Sequence, residues 1–354
     1  MNKQLQVGIN YPWINYGWDF GDPPPGWTGG LSVTEWRARQ RQHIAADLQQ
    51  FASLGLFAVR WFILGDGTNY GFGDDAPHLV DKRWSAQPLP AAHAFHQALF
   101  DDFTFALETC ADLKLQFVPA LLDFHWSFPG EPVANTPVVK QGRAQIVIDP
   151  AKRAAFFDRV LEPLLDISEK HKETIYAWEL INEPEWCTNP RDLAPSQIPP
   201  DDKQQVPQEI MRDFIAEGVH RINARQSFPS TIGFAQHETL AEWDSPGLGV
   251  TRHQFHYYAQ NKRKLPDHSY SDEYPCFLGE FASAVERDWP ELKRQGLAQT
   301  ISNRLQNVTE KGYPATFLWS ARGSDPATAW TQAKQAEMLA YLRAANETTT
   351  VQTG

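Results

Sequence analysis

The stretch WELINEPEW, from Trp178 to Trp186, reads as a buried strand that stops on an asparagine and a glutamate with a proline behind them. A strand that simply surfaces ends in turn residues that water solvates cheaply. Here the apolar run reaches Ile181 and passes straight into Asn182 and Glu183. Pro184 then removes the backbone donor that the next ladder bond would need. The chain is therefore turned away at Pro184, and Glu183 is left projecting from the strand's C-terminal end.

Seven further apolar runs have the length of strands: Gln6–Asn10, Phe57–Leu64, Leu115–Leu122, Ser230–Ala235, His253–Tyr257, Cys276–Phe281 and Ala315–Trp319, with Ile175–Ile181 making the eighth. Amphipathic helices lie between several of them. Ile44, Leu48 and Phe51 recur at helical spacing behind Ser32-Val33-Thr34-Glu35, which has capping-box spacing. Phe157, Val160, Leu161, Leu164 and Leu165 form a second stripe behind Asp149-Pro150, an N-cap followed by proline in the first turn. Further helices are predicted at Phe100–Leu113, Pro207–Ala224 and Glu291–Thr309. Strand–helix alternation predicts a parallel sheet covered by helices, and eight strands predict α/β architecture closed as a (β/α)8 TIM barrel. Segments entering strands are short (Ser53–Leu56, Asp112–Lys114, Lys311–Pro314). Segments leaving them are long (Gly65–Pro90, Trp126–Asp149, Glu185–Val206, Ala259–Tyr274), on the face where barrel sites are built. The open doubly wound sheet is the alternative, but Gly71-Phe72-Gly73 lacks the third glycine of its phosphate-binding turn. Residues 1–345 read as a single domain and 346–354 as a flexible tail.

Composition narrows the function. The formal net charge is −11 and no Lys/Arg block stands out, which argues against nucleic acid; the run Arg37–Arg41 reads as a solvated helix face. No stretch approaches the roughly 18 apolar residues that span a bilayer. The polar start, Met1–Gln6, carries no signal h-region, so the expected location is cytoplasmic unless a signal has been removed. Cys110, Cys187 and Cys276 are odd in number and far apart, so they read as buried thiols. No cofactor or metal is expected, because His93–His96 and His253–His256 lack the His-x-His spacing of a strand-end metal site. No Gly-x-Ser-x-Gly elbow is present for a serine hydrolase.

The predicted strand ends carry the chemistry. The second delivers Arg60, the third Asp123-Phe124-His125-Trp126, the fourth Asn182-Glu183-Pro184, the sixth His256-Tyr257-Tyr258, the seventh Gly279-Glu280-Phe281 and the eighth Trp319-Ser320. This ordered set resembles the retaining glycoside hydrolases of the (β/α)8 barrel clan, most of all the family-5 cellulase and β-mannanase group. In that family strand four ends Asn-Glu-Pro and strand seven ends in a glutamate, commonly Gly-Glu-Phe. The match runs from strand two to strand eight. Trp178-Glu179-Leu180 leans towards β-mannanases.

The resemblance implies that Glu183 is the acid/base and Glu280 the nucleophile of a double displacement on a β-linked glycan or oligosaccharide, mannan- or glucan-type. Asn182 is expected at the sugar 2-hydroxyl, Arg60 and Tyr258 on Glu280, and His125 and His256 at sugar hydroxyls or the glutamates. Trp319 and then Trp126 are expected as sugar platforms, because their strands place them at the mouth; among Trp13, Trp18, Trp27, Trp186 and Trp330 a loop-stapling role is at least as fitting. Glu185 reads as a loop charge and Asp123 as a hydrogen-bonding residue of the barrel mouth. A non-catalytic carbohydrate-binding barrel and a transglycosylase on the same scaffold are the alternatives.

Overall fold

The computed structural model describes residues 4–15, 17–24, 26–91, 94–191, 193–258, 265–269, 275–282, 301–323 and 329–352. Its main sheet has eight strands: β1 (Gln6–Asn10), β2 (Ala58–Phe62), β3 (Gln116–Asp123), β4 (Trp178–Asn182), β5 (Ser230–Gly233), β6 (His253–Tyr257), β7 (Cys276–Ala282) and β8 (Ala315–Trp319). They run parallel in the order β5-β4-β3-β2-β1-β8-β7-β6. The two end strands meet through a parallel bridge between Phe234 and Phe255, with His256 N donating to Phe234 O at 2.9 Å and Arg252 N to Ser230 O at 3.0 Å. The sheet is thus closed into the expected (β/α)8 barrel. Register shifts in β5, β6 and β7 fall near their C-terminal ends, where they re-aim side chains at the mouth.

Helices α1 (Val33–Ser53) and α2 (Ala94–Asp112) flank β2 in sequence. Ser32 caps α1 as its spacing predicts: its Oγ accepts from Glu35 N, and the Glu35 carboxylate accepts from Ser32 N. The run Arg37–Arg41 is not a merely solvated face. Arg37 and Arg41 both bond Asp102 Oδ1 on α2, at 2.8 Å each, and so clamp the two helices together. After β3 come α3 (Ala144–Ile148) and α4 (Pro150–Phe156), the latter capped by Asp149 Oδ1 on Ala151 N and Lys152 N. A π-turn, Phe157–Leu161, leads into α5 (Glu162–Glu169), and the predicted stripe from Phe157 to Leu165 is buried. The remaining α-helices among the described residues are α6 (Gln208–Ala224), α7 (His237–Glu242), α8 (Ile301–Glu310) and α9 (Gln332–Gln352). Helix α9 continues into the stretch read as a tail. The expected helix from Glu291 is described only from Ile301, and the Ala259–Tyr274 loop and His93 lie largely or wholly outside the described residues. The three cysteines are buried and free, as expected. No described helix is long and apolar enough to cross a membrane.

The barrel is filled in two tiers. Alternate residues of a strand share a face, so Ala58 and Arg60 point inward from β2, and Ala315 and Phe317 from β8. At the N-terminal end the plug is aromatic: Tyr176, Phe277 and Phe317 meet with ring centroids 5.4–6.1 Å apart. One step towards the mouth the interior turns polar, with Asn10, Arg60 and Glu179 fully buried. Gly8 of β1 sits against the plug. A Cβ there would come within 2.7 Å of the Phe317 ring and 2.9 Å of Ala58 O, and a backbone oxygen cannot step aside. Gly8→Ala is expected to cost about 1–3 kcal/mol, read as a fall in the urea midpoint at unchanged slope.

Candidate active site

Arg60 organises the polar tier. Its Nε and Nη2 grip Glu179 at 2.6 and 2.5 Å, its Nη1 reaches Asn10 Oδ1 and Glu280 Oε1 at 2.8 Å each, and Nη2 also bonds Asn182 Oδ1 at 2.7 Å. One buried cation therefore ties β1, β2, β4 and β7 together. Burial pulls the guanidinium's proton affinity down, but the charges of Glu179 and Glu280 outweigh this and hold its pKa above the ordinary arginine value.

Glu280 is buried on β7. The Tyr258 hydroxyl donates to its Oε2, and Arg60 holds Oε1. Burial, reinforced by the Glu183 charge, leaves its pKa above the ordinary glutamate value, while the Arg60 charge and the tyrosine bond act the other way and favour the ionised form. Tyr258 itself is pushed above the ordinary phenol range by burial and by the Glu280 charge.

Glu183 follows β4 in a different setting. Its backbone is left-handed, φ 45° and ψ 51°, in front of a proline that disfavours helical geometry in the residue before it. The strained conformer is held by Glu183 N donating to Gly233 O at 2.6 Å. Its carboxyl meets His256 Nδ1 at 2.7 Å through Oε1 and accepts from Trp186 Nε1 at 2.9 Å through Oε2. Burial, then the charge of Asp123, raises its pKa to about 7, against the lowering effect of the Trp186 bond.

The two glutamates face each other across His256. Its Nδ1 lies 2.7 Å from Glu183 and 3.6 Å from Glu280, and one carboxylate oxygen of each glutamate and this nitrogen all lie within 4.8 Å of one another. Register creates this meeting, because His256 pairs directly with Glu280 across β6 and β7. Burial lowers the His256 pKa to about 4, so the ring is neutral at pH 7. Its Nε2 is buried with no hydrogen-bond partner among the described residues. A stranded N–H there would cost more than a stranded lone pair, which puts the proton on Nδ1, donating to Glu183.

The other expected residues divide. Asn182 is buried at the end of β4 and donates to Asp123 Oδ1 at 2.7 Å. Asp123 also bonds the His125 ring, which is 41 % exposed in its side chain and lies on Phe124 with centroids 4.0 Å apart. Burial lowers the His125 pKa, but the bond to Asp123 outweighs it and the net shift is upward. Trp319 is half-buried at the end of β8, edge-on to Phe62 at 6.4 Å, and its peptide bond to Ser320 is cis. Trp126 does not reach the mouth. The short 3-10 turn Phe124–Ser127 folds its ring away into a fully buried nest with Tyr70, Phe156 and the Arg143 guanidinium. Trp18 is likewise buried, whereas Trp186 is 47 % exposed beside Glu183. Glu185 is not a solvated loop charge: its Oε1 accepts from Ala235 N at 2.7 Å, and burial raises its pKa to about 8. Glu179 and Asn10 were not anticipated as members of the site. Period-two alternation with Gly8 was the available signal for Asn10; Glu179 stands three residues before Asn182, where alternation gives no such signal.

No protein-family model matches the chain, and neither does any curated protein. Solved structures do. An endo-1,4-β-mannanase from Eisenia fetida superposes with a TM-score of 0.65 at 18% identity, covering 97% of this chain and 91% of that one. A β-1,4-D-mannanase from Cryptopygus antarcticus gives 0.65 at 15% identity, covering 96% and 93%. The β-1,4-mannanase of the sea hare Aplysia kurodai gives 0.63 at 18% identity, also covering 96% and 93%. This chain shares their barrel fold.

Glu183, His256 and Glu280 also have the spacing of a three-ligand cation site. The Arg60 guanidinium, 2.8 Å from Glu280 Oε1, competes with any cation there, and Tyr258 already donates to Glu280 Oε2. The arrangement instead suits two carboxyls of unequal proton affinity.

Two stability predictions follow from these contacts. Removing one partner of a buried ion pair strands the other, so Glu179→Ala is expected to cost about 3–5 kcal/mol by chemical denaturation; a loss below about 1 kcal/mol would mean that Arg60 does not depend on it. Glu183 binds its proton more tightly folded than unfolded, with a pKa of about 7 against 4.5. Its contribution to stability therefore falls as pH rises through that window. Glu183→Gln should be more stable than the parent at pH 8 by on the order of 3 kcal/mol, with the advantage shrinking towards pH 5. A pH-independent difference would contradict the shift.

Proposed function

We propose that the chain is a retaining β-glycoside hydrolase of the family-5 type, acting on a β-linked mannan-type glycan or oligosaccharide. The observation that carries this reading is the pair Glu183 and Glu280, with carboxylate oxygens within 4.8 Å of each other, one held by Arg60 and Tyr258 and the other raised towards neutrality. Retaining enzymes set their two carboxyls about 5–5.5 Å apart, and inverting enzymes leave room for a water between them. The mannan preference is supported by the structural neighbours, which are β-1,4-mannanases.

In this mechanism the Glu280 carboxylate attacks the anomeric carbon. The bond to the leaving oxygen breaks, its electron pair stays on that oxygen, and Glu183 supplies the proton. Esterification removes the charge on Glu280 and lowers the proton affinity of Glu183, which then takes a proton from water as the water oxygen attacks the anomeric carbon. The ester bond breaks and Glu280 returns as a carboxylate. Asn182 bonds the 2-hydroxyl in this reading, a contact that strengthens in the oxocarbenium-like transition state. His125 and Trp319 serve as sugar contacts, and neutral His256 orients Glu183. Residues 1–345 act as one catalytic domain. A transglycosylase would use the same steps with a sugar in place of water.

Glu280→Ala is expected to abolish turnover, with azide restoring part of it by taking the nucleophile's place. Glu183→Ala should lose about 10²–10⁴-fold on poor leaving groups and far less on activated aryl glycosides. kcat/KM should fall as pH rises through about 7, where Glu183 loses its proton. A panel of β-mannan, β-glucan and aryl β-glycosides tests the class: release of no sugar or phenol from any of them would leave only a binding barrel.

A further inference from the structure

Trp186 is not a strand-end residue, yet it touches the reacting carboxyl. Pro184–Trp186 forms one 3-10 turn, closed by Trp186 N donating to Glu183 O at 3.1 Å. With three residues per turn, position i+3 stands over position i. This brings the indole over Glu183, and Nε1 donates to Oε2 at 2.9 Å. The ring is nonetheless 47 % exposed, among the most exposed large apolar side chains described. An indole whose N–H is satisfied while its ring faces stay in water is unusual, because tryptophan gains most from burying those faces. Both oxygens of the carboxyl are engaged, Oε1 by His256, which also approaches Glu280, and Oε2 by Trp186. An acid that protonates the leaving oxygen must lie next to it, so an indole bonded to that acid lies beside the leaving group.

We propose that Trp186 has two functions in one ring: its N–H positions the proton-donating carboxyl of Glu183, and its exposed face is the platform on which the pyranose of the leaving group rests. The second part rests on the glycosidase reading; the first does not. The substrate class follows from it. The enzyme acts on bonds whose leaving group is itself a sugar ring or another flat apolar-faced group. The turn supplies specificity and acid orientation together, since the indole cannot shift towards a ligand without moving its bond to Oε2.

The N–H donates to the carboxylate and so favours its ionised form. Its removal should raise the Glu183 pKa. The other groups whose charge or proton bears on Glu183 are Asp123 on β3, Arg60 on β2, Glu179 on β4, Glu185 in the same turn, His256 on β6, Tyr258 just after it and Glu280 on β7, and none of them is altered by a change at Trp186.

Two variants separate the functions. Trp186→Phe keeps a ring and removes the N–H, and Trp186→Ala removes both. In protein carrying ¹³C-labelled glutamate carboxyls, the Glu183 signal is assigned by its loss in Glu183→Gln and titrated directly. The parent midpoint is expected at about 7, and Trp186→Phe should raise it by roughly half a unit to one unit. An unchanged or lowered midpoint overturns the positioning function, and thermal melts of both variants show that the fold is intact. For the platform, Trp186→Ala should raise KM about 3- to 10-fold on a β-mannotrioside and leave it within about 2-fold on β-mannosyl fluoride, whose leaving group has no ring. Equal effects on both substrates, or none on either, overturn it. If no β-glycoside is turned over at all, the hydrolase reading falls and the platform with it, while the carboxyl titration still decides the positioning function.

Discussion

The Arg60 guanidinium is the interaction on which the barrel mouth depends. It is fully buried, and a cation in that position is tolerable only if its donors are satisfied and its charge is matched. Glu179 supplies the match from β4, Glu280 from β7, and the amide oxygens of Asn10 and Asn182 complete the fork. Two buried carboxylates around one cation leave a net negative charge in the tier. The neutral groups then matter: Tyr258 donates to Glu280, and His256 stays uncharged instead of adding a second cation. Position follows from charge balance, because none of these groups can rotate away without stranding another.

That network also explains why two glutamates at the same mouth differ. Glu280 has a cation and a phenol in direct contact, each favouring its ionised form. Among the described residues Glu183 has no cation within hydrogen-bond reach; its neighbours are a neutral imidazole and an indole N–H, and Asp123 raises it further. Buried carboxyls separated by environment in this way are what acid/base chemistry at neutral pH requires.

Much of this was legible in the sequence because barrel strands announce themselves twice. Their apolar runs mark the strands, and Asn182-Glu183-Pro184 and Gly279-Glu280-Phe281 mark the ends. Three of the eight strands, β1, β6 and β8, have the expected bounds. What stayed hidden depends on which way a side chain leaves its turn. Trp126 and Trp186 both follow a strand end by a few residues. One 3-10 turn buries its indole against Tyr70 and Phe156, and the other leaves it exposed over Glu183. Glu179 lay within an apolar run whose inward face could not be assigned until Arg60 supplied its partner. Arg37 and Arg41 read as solvated because their acceptor, Asp102, comes from the next helix.

The low identity to the mannanase folds fits the same picture. With 18% of residues shared, 97% of the chain still follows the course of the Eisenia fetida enzyme. A barrel demands a pattern more than particular residues: apolar strands at period two, helices with one apolar stripe, and short returns from helix to strand. Such demands are met by many sequences. The mouth is different, since a left-handed Glu183 and a buried charge tier both cost stability locally. Those costs are offset by the apolar tier beneath and by the shell of helices outside it. The part of the sequence that specifies chemistry is therefore confined to the strand ends and the first turn beyond them, and there a single hydrogen bond, such as that from Trp186 to Glu183, has the leverage to set how the site behaves.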